Sequence, residues 1–142
     1  DYQFDYKKML DFKGDTLTYQ LYSWVRINNL FRKTKYSLTE IKNTEYIFSN
    51  KSNNEYISER NLVIHLSQFD EMLNKVIEGL LPHYLCEYIY QMSMKINDFW
   101  RDCIVINDNN ELTRLKLCLA CKNVMTTCFN LLKIPVDKID RL

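Results

Sequence analysis

Glycine and proline are almost missing from this 142-residue chain, at two residues each, and with them the turn dipeptides that punctuate sheets. A fold of many short strands needs such turn signals about every 8–12 residues, so a many-stranded β architecture is excluded and long helices are favoured. No apolar run approaches the roughly 20 residues that cross a bilayer, and no basic start followed by an apolar stretch marks an export signal. A surplus of one charge is missing too: 19 Lys and Arg against 18 Asp and Glu leave a net charge of +1. There is then no bulk field to draw in a polyanion, and any nucleic-acid contact has to come from local basic clusters and stacking.

What is present fits one domain over residues 1–142. Hydrophobic residues make up 46% of the chain, enough for one sizeable core. The five cysteines, Cys86, Cys103, Cys118, Cys121 and Cys128, fall on helical patterns and cannot all be paired, which points to a reducing compartment and a cytoplasmic protein. Asn50-Lys51-Ser52 matches the glycosylation triplet and is read there as a chance match. The chain starts abruptly inside DYQFDYKKMLDF, as a segment cut from something longer does.

Residues 1–16 carry no clean period and read as a lead-in. Asp15 or Thr16 can cap a first helix over Leu17–Lys33, whose end carries Arg32, Lys33 and Lys35, favourable beside a helix C-terminus. Residues 36–58 read as a surface connection with a short helix at Leu38–Ile41. A second helical region, Glu59–Leu81, sets Leu62, Leu66, Phe69, Leu73, Val76 and Leu80 on one face, with a possible break at Phe69-Asp70 and an end at Gly79 and Pro82. The strongest signal is Pro82–Val105. There Leu85, Tyr88, Ile89, Met92, Ile96, Phe99 and Cys103 line one face at the helical step, Glu87, Gln91, Asp98 and Asp102 lie opposite, and Trp100 sits on the flank. Asn107–Asn110 forms a turn before a last helix, Glu111–Leu132, which stops short of Pro135. The fold class is all-α, a helical bundle of about five helices.

On the first helix Leu17, Leu21, Trp24 and Phe31 occupy a core-facing arc, whereas Tyr19, Tyr22, Arg26 and Lys33 share nearly the opposite side. Two readings of that side stand. Tyrosines can pack against a loop or another domain with wet hydroxyls, or unpaired bases can stack on them while arginine takes phosphate. His65 has no nucleophile motif beside it and reads as a surface or capping histidine. His83-x-x-Cys86 with Cys118-x-x-Cys121 could suggest a zinc set. Both pairs lie inside helical patterns without glycine turns, so the cysteines read as small apolar side chains and no metal site is expected. No catalytic constellation is found.

The stretch GDTLTYQLYSWVR, Gly14–Arg26, resembles the Gly-x-Thr-x-x-Tyr-x-x-Tyr-x-x-x-Arg opening of the C-terminal, DALR-type anticodon-binding domain of arginyl-tRNA synthetases. The rest agrees in order: Leu66 with Gln68-Phe69, Pro82-His83-x-Leu85-Cys86-x-Tyr88, Asn97-x-Phe99-Trp100, Arg114-Leu115 with Leu117, and Leu131-Leu132 with Ile134-Pro135-Val136. The resemblance covers the chain from Lys8 onward. It implies recognition of the anticodon loop of arginine tRNA, with Tyr19, Tyr22, Arg26, Trp100, Ile104 and Ile139 as the tRNA-binding residues. Three positions depart from the family pattern. Thr18 replaces a usual proline, Ile104 stands where relatives can carry a second large side chain, and Ile139 replaces the final methionine, three residues before this chain's end. The parent enzyme implied is an arginine-tRNA ligase using ATP and magnesium through an upstream catalytic domain of the same chain. Neither its His-Ile-Gly-His nor its Lys-Met-Ser-Lys-Ser signature occurs here, nor any glycine-rich phosphate loop, so these residues are expected to bind tRNA without catalysis and without a cofactor. A monomer without membrane contact is expected. The competing function is a helical protein-protein interaction domain whose exposed tyrosines meet another chain.

Overall fold

A computed structural model describes residues 17–48 and 53–139. The lead-in at 1–16 with its capping residues, the Asn50-Lys51-Ser52 triplet and the terminal Asp140-Arg141-Leu142 lie outside the described residues. Six α-helices follow in order: α1 Leu17–Lys33, α2 Leu38–Asn43, α3 Asn53–Ser67, α4 Phe69–Gly79, α5 His83–Asp102 and α6 Glu111–Leu131, then a 3-10 turn at Val136–Lys138. Among the described residues there is no strand, and no helix is long and apolar enough to cross a membrane.

Helix α5 is the hub, packing on α1, α3, α4 and α6. Its predicted stripe is the one that is buried: Leu85, Tyr88, Ile89, Met92, Ile96 and Phe99 along the helix, with Cys103 just past its end. Side chains of this size contribute about 1.5–3 kcal/mol each when withdrawn from water, so the stripe is the main apolar investment of the bundle. Helix α1 buries Leu21, Trp24, Val25 and Ile27. The Trp24 indole N–H also donates to Thr126 Oγ1 at 2.9 Å, which fixes α1 on α6. Helix α2 carries a capping box, in which Ser37 and Glu40 satisfy each other's backbone N–H at 2.6 and 3.2 Å. These bonds hold the Glu40 carboxyl below the usual carboxylate range, the one from the Ser37 backbone most of all.

The sequence reading differs from the structure at four points. Helix α3 starts at Asn53, so the segment read as a 36–58 connection holds both α2 and the start of a long helix. The missed turns bury polar groups rather than apolar ones. Glu59 is fully buried and accepts from the Tyr46 hydroxyl at 2.7 Å, Ser58 donates to Asp102, and Glu55 pairs with Arg114 at 3.0 Å. Leu80 does not extend the apolar face. It adopts the left-handed conformation (φ 49°) that ends α4 and is 84% exposed, while Gly79 stays helical. Leu17 is exposed at the first position of α1 rather than in the core.

The fourth difference is His65, which is buried rather than on the surface. Its ring stacks on Tyr88 at 4.1 Å and 16°, its Nε2 donates to the Tyr88 carbonyl at 3.0 Å, and the Tyr88 hydroxyl returns a bond to the His65 carbonyl at 2.8 Å. Three residues after Leu62 and four before Phe69, His65 occupies the core face of α3 and ties it to α5.

Arg114 on α6 has no exposed surface. It donates to Glu55 Oε2 at 3.0 Å and to the Ile104 carbonyl at 2.5 Å, with Asp108 at 3.7 Å. It thereby joins α3, the loop after α5 and α6. Glu111, also buried, plays a similar part, accepting from Thr34 Oγ1 at 2.9 Å and from the Asn107 N–H at 3.1 Å.

Arg114→Met leaves Glu55 and the Ile104 carbonyl without their donor and is expected to cost about 3–5 kcal/mol, read as a lower urea midpoint; an unchanged midpoint would remove Arg114 from this role. Burial lowers the pKa of His65 from 6.5. The unfolded chain therefore takes up a proton where the folded one resists it, and stability that is full above about pH 6.5 declines as pH falls below that value. Thermal melts at pH 7.5 and 5.5 are expected to show a larger loss for the native protein than for His65→Gln, and an equal loss in the two would refute the assignment.

Candidate nucleic-acid interface

Helical spacing of 3, 4, 3 and 4 puts Tyr19, Tyr22, Arg26, Asn29 and Lys33 on one face of α1. Asn97 and Trp100 on α5, with Ile104 two residues past its end, run at steps of 3 and 4 beside the buried Ile96, Phe99 and Cys103. Packing α1 on α5 brings the two rows together. The Arg26 guanidinium lies 4.4 Å over the Trp100 ring and 5.7 Å from the Tyr22 ring. Its Nη1 donates to Asn97 Oδ1 at 3.3 Å, and Asn97 Nδ2 donates in turn to the Tyr19 hydroxyl.

This network sorts the residues expected to touch RNA. Tyr22 is 41% exposed and offers a free ring face, whereas Tyr19 is half-buried, tilted against Tyr90 at 6.3 Å and spent on Asn97. Trp100 is half-buried, with its indole N–H directed into the protein. That N–H makes no hydrogen bond of regular geometry, and it pulls the Cys118 thiol down against a larger rise from burial that leaves the thiol at about 12. One face of the indole is capped by Arg26. A base meeting this site therefore meets a guanidinium laid on an indole, a composite platform rather than a bare ring.

A cavity of about 380 Å³ opens beside the platform, lined on α1 by Arg26, Asn29, Leu30 and Lys33 and on the α5 end by Trp100, Arg101 and residues 103–106. Its volume suits a small planar group. Ile104, 67% exposed, forms its apolar lip, and the Arg114 bond to the Ile104 carbonyl fixes that lip. Of the cations on the wall, Arg101 is neutralised by Asp98 at 2.8 Å and Asp102 at 2.9 Å. Arg26 and Lys33 have no carboxylate partner among the described residues. Cys103 is buried, donates to the Glu55 carbonyl at 3.6 Å and has its thiol pushed up to about 11 by burial, so it supplies no nucleophile.

Tyr22, Arg26, Trp100 and Ile104 are thus brought into one neighbourhood, with Tyr19 at its edge. Ile139 is not: it packs half-buried against the core beyond the 3-10 turn and is not part of the cavity wall. Asn97 and Asn29 carry no hydrophobic or charge signal, and sequence reasoning passed over both as site residues. Asn97 was named only within the Asn97-x-Phe99-Trp100 motif, and for Asn29 the one available signal is its helical spacing from Arg26 and Lys33. No three His, Cys, Asp or Glu side chains gather as a metal site among the described residues. Cys118 and Cys121 are buried in α6 with their thiols raised by burial.

A family profile described as DALR anticodon binding domain matches residues 20–138. The chain is 39% identical over 139 residues to the cytoplasmic arginine-tRNA ligase of Arabidopsis thaliana, covering 97% of this chain and 23% of that protein. It is 36% identical over 140 residues to the arginine-tRNA ligase of Protochlamydia amoebophila, covering 98% and 23%. The crystal structure of arginyl-tRNA synthetase from Plasmodium falciparum superposes with a TM-score of 0.84 at 32% identity, over 100% of this chain and 24% of that one. The chain therefore spans under a quarter of the length of these relatives. With the family match extending from within α1 through the 3-10 turn, and the same fold in a relative of known structure, the chain belongs to the DALR anticodon binding domain family.

Proposed function

We propose that this domain binds the anticodon arm of arginine tRNA for a longer arginine-tRNA ligase, through Tyr19, Tyr22, Arg26, Trp100 and Ile104. The observation that carries this reading is the Arg26–Trp100 platform beside an open cavity, with two cations that have no carboxylate partner among the described residues. Anticodon bases leave their stack and settle on Tyr22 and on the guanidinium face, each contributing on the order of 1–3 kcal/mol. Arg26 and Lys33 hold phosphates, a salt-dependent contribution blind to sequence. Ile139 has a place in this scheme only at the rim, as an apolar side chain behind the 3-10 turn.

The ligase reaction, with ATP and magnesium, belongs in this reading to the rest of the longer protein. The residues here do not fit those groups: there is no metal cluster among the described residues, and the whole sequence has two glycines, in no phosphate loop. Free and mostly buried thiols support a cytoplasmic, reducing setting, and the domain acts in this reading as a monomer. A second contact surface is favoured by a specific feature, the exposed Ile77, Leu80 and Leu81 at the α4–α5 turn. It lies at the opposite end of α5 from Trp100, about 25 Å away at the helical rise of about 1.5 Å per residue, and suits packing against another part of the longer protein.

Titration of the purified chain with arginine tRNA over a salt series is expected to give tighter binding than to the same tRNA with its anticodon exchanged, with the same salt slope for both. Tyr22→Ala is expected to weaken the anticodon-dependent part by about 1–3 kcal/mol while the helical circular-dichroism signal stays native. Equal affinity for the two tRNAs would overturn the reading in favour of a protein-binding role.

A further inference from the structure

We propose that Asn29 is a specificity-determining residue, reading the edge of one anticodon-loop base that enters the cavity between α1 and the end of α5; this rests on the tRNA reading above. The cavity wall is chemically lopsided. Leu30, Ile104, Val105 and Ile106 are apolar, and Arg26, Lys33 and Arg101 can only donate hydrogen bonds. Trp100 turns its N–H inward and Cys103 is engaged with Glu55. Among the lining side chains, Asn29 is left as the one with a strong acceptor and the one with a neutral donor beside it.

Every nucleobase carries at least one N–H on its Watson–Crick edge, in the ring or on an exocyclic amine, and a desolvated N–H needs an acceptor. A base enclosed by this wall finds that acceptor in Asn29 Oδ1. The amide group also matches a donor lying next to an acceptor, the arrangement that asparagine reads with two bonds. Its position agrees. Asn29 follows Arg26 by one helical turn and precedes Lys33 by another, so a base whose face rests on the Arg26–Trp100 pair points an edge along α1 toward Asn29 and its phosphate toward Lys33. Asn29 is exposed, and its side chain has no hydrogen bond among the described residues, so nothing in the protein has to be broken for it to act.

The test is a cycle of protein and tRNA variants. Arginine tRNA transcripts carrying each of the four bases at each anticodon-loop position are titrated against the native chain, Asn29→Leu and Asn29→Asp, with circular-dichroism melts confirming that the exposed substitutions leave the fold intact. At one loop position the native chain is expected to prefer one base by roughly tenfold. Asn29→Leu is expected to erase that preference while leaving other positions and the salt slope unchanged. Asn29→Asp, with acceptors only, is expected to move the preference toward guanine, whose edge offers two adjacent N–H donors. Discrimination unchanged at every position in Asn29→Leu would overturn the proposal, as would an equal loss for all transcripts. If the native chain itself ignores the anticodon, the tRNA reading falls and this proposal with it, an outcome distinct from both.

Discussion

One buried stripe, on α5, sets the geometry of everything else. Four helices pack against α5, and its register is pinned because a rotation of one residue would carry Ile89, Met92, Ile96 and Phe99, all essentially inaccessible to solvent, toward water. The flank of that stripe is consequently fixed as well. Asn97 and Trp100 can only emerge where α1 crosses, and Trp24, bonded to Thr126, keeps α1 from sliding. The composite platform of Arg26 on Trp100 is the surface consequence of a core constraint.

A second layer of control is polar and buried. Arg114, Glu59 and His65 each join two or more elements through hydrogen bonds inside the protein. Such groups add less net stability than apolar replacements of the same volume could, yet removing one partner is costly because the other remains buried and uncompensated. Their contribution here is positional. Arg114 holds the carbonyl of the very residue that forms the cavity lip, so a side chain on α6 that touches no surface fixes the entrance to the site.

These two layers explain how much could be read from the sequence. α1, α5 and α6 were legible to within a few residues because their apolar positions repeat at the helical step and their ends carry cations, asparagines or a proline. The family was legible from ordered short motifs. The start of α3 was not, because its inward face is Ser58, Glu59 and the carboxylate partner of Arg114, residues that periodicity arguments assign to solvent. His65 was misplaced for the same reason, its burial depending on Tyr88, twenty-three positions away in the chain. Spacing and resemblance singled out Arg26, Tyr22 and Trp100, but their mutual contact, the hydrogen bond from Arg26 to Asn97 and the position of Ile139 away from the cavity wall depend on tertiary packing that no local pattern carries.

The proposed function requires anticodon-loop bases to lie against the α1 face and the C-terminal end of α5. Arginine tRNA carrying 4-thiouridine within the anticodon loop, irradiated in complex with the chain and digested, reports that directly. Crosslinked peptides drawn from residues 19–33 and 97–106 are the expected result. Crosslinks confined to the α4–α5 turn, or distributed without preference over the bundle, would contradict it.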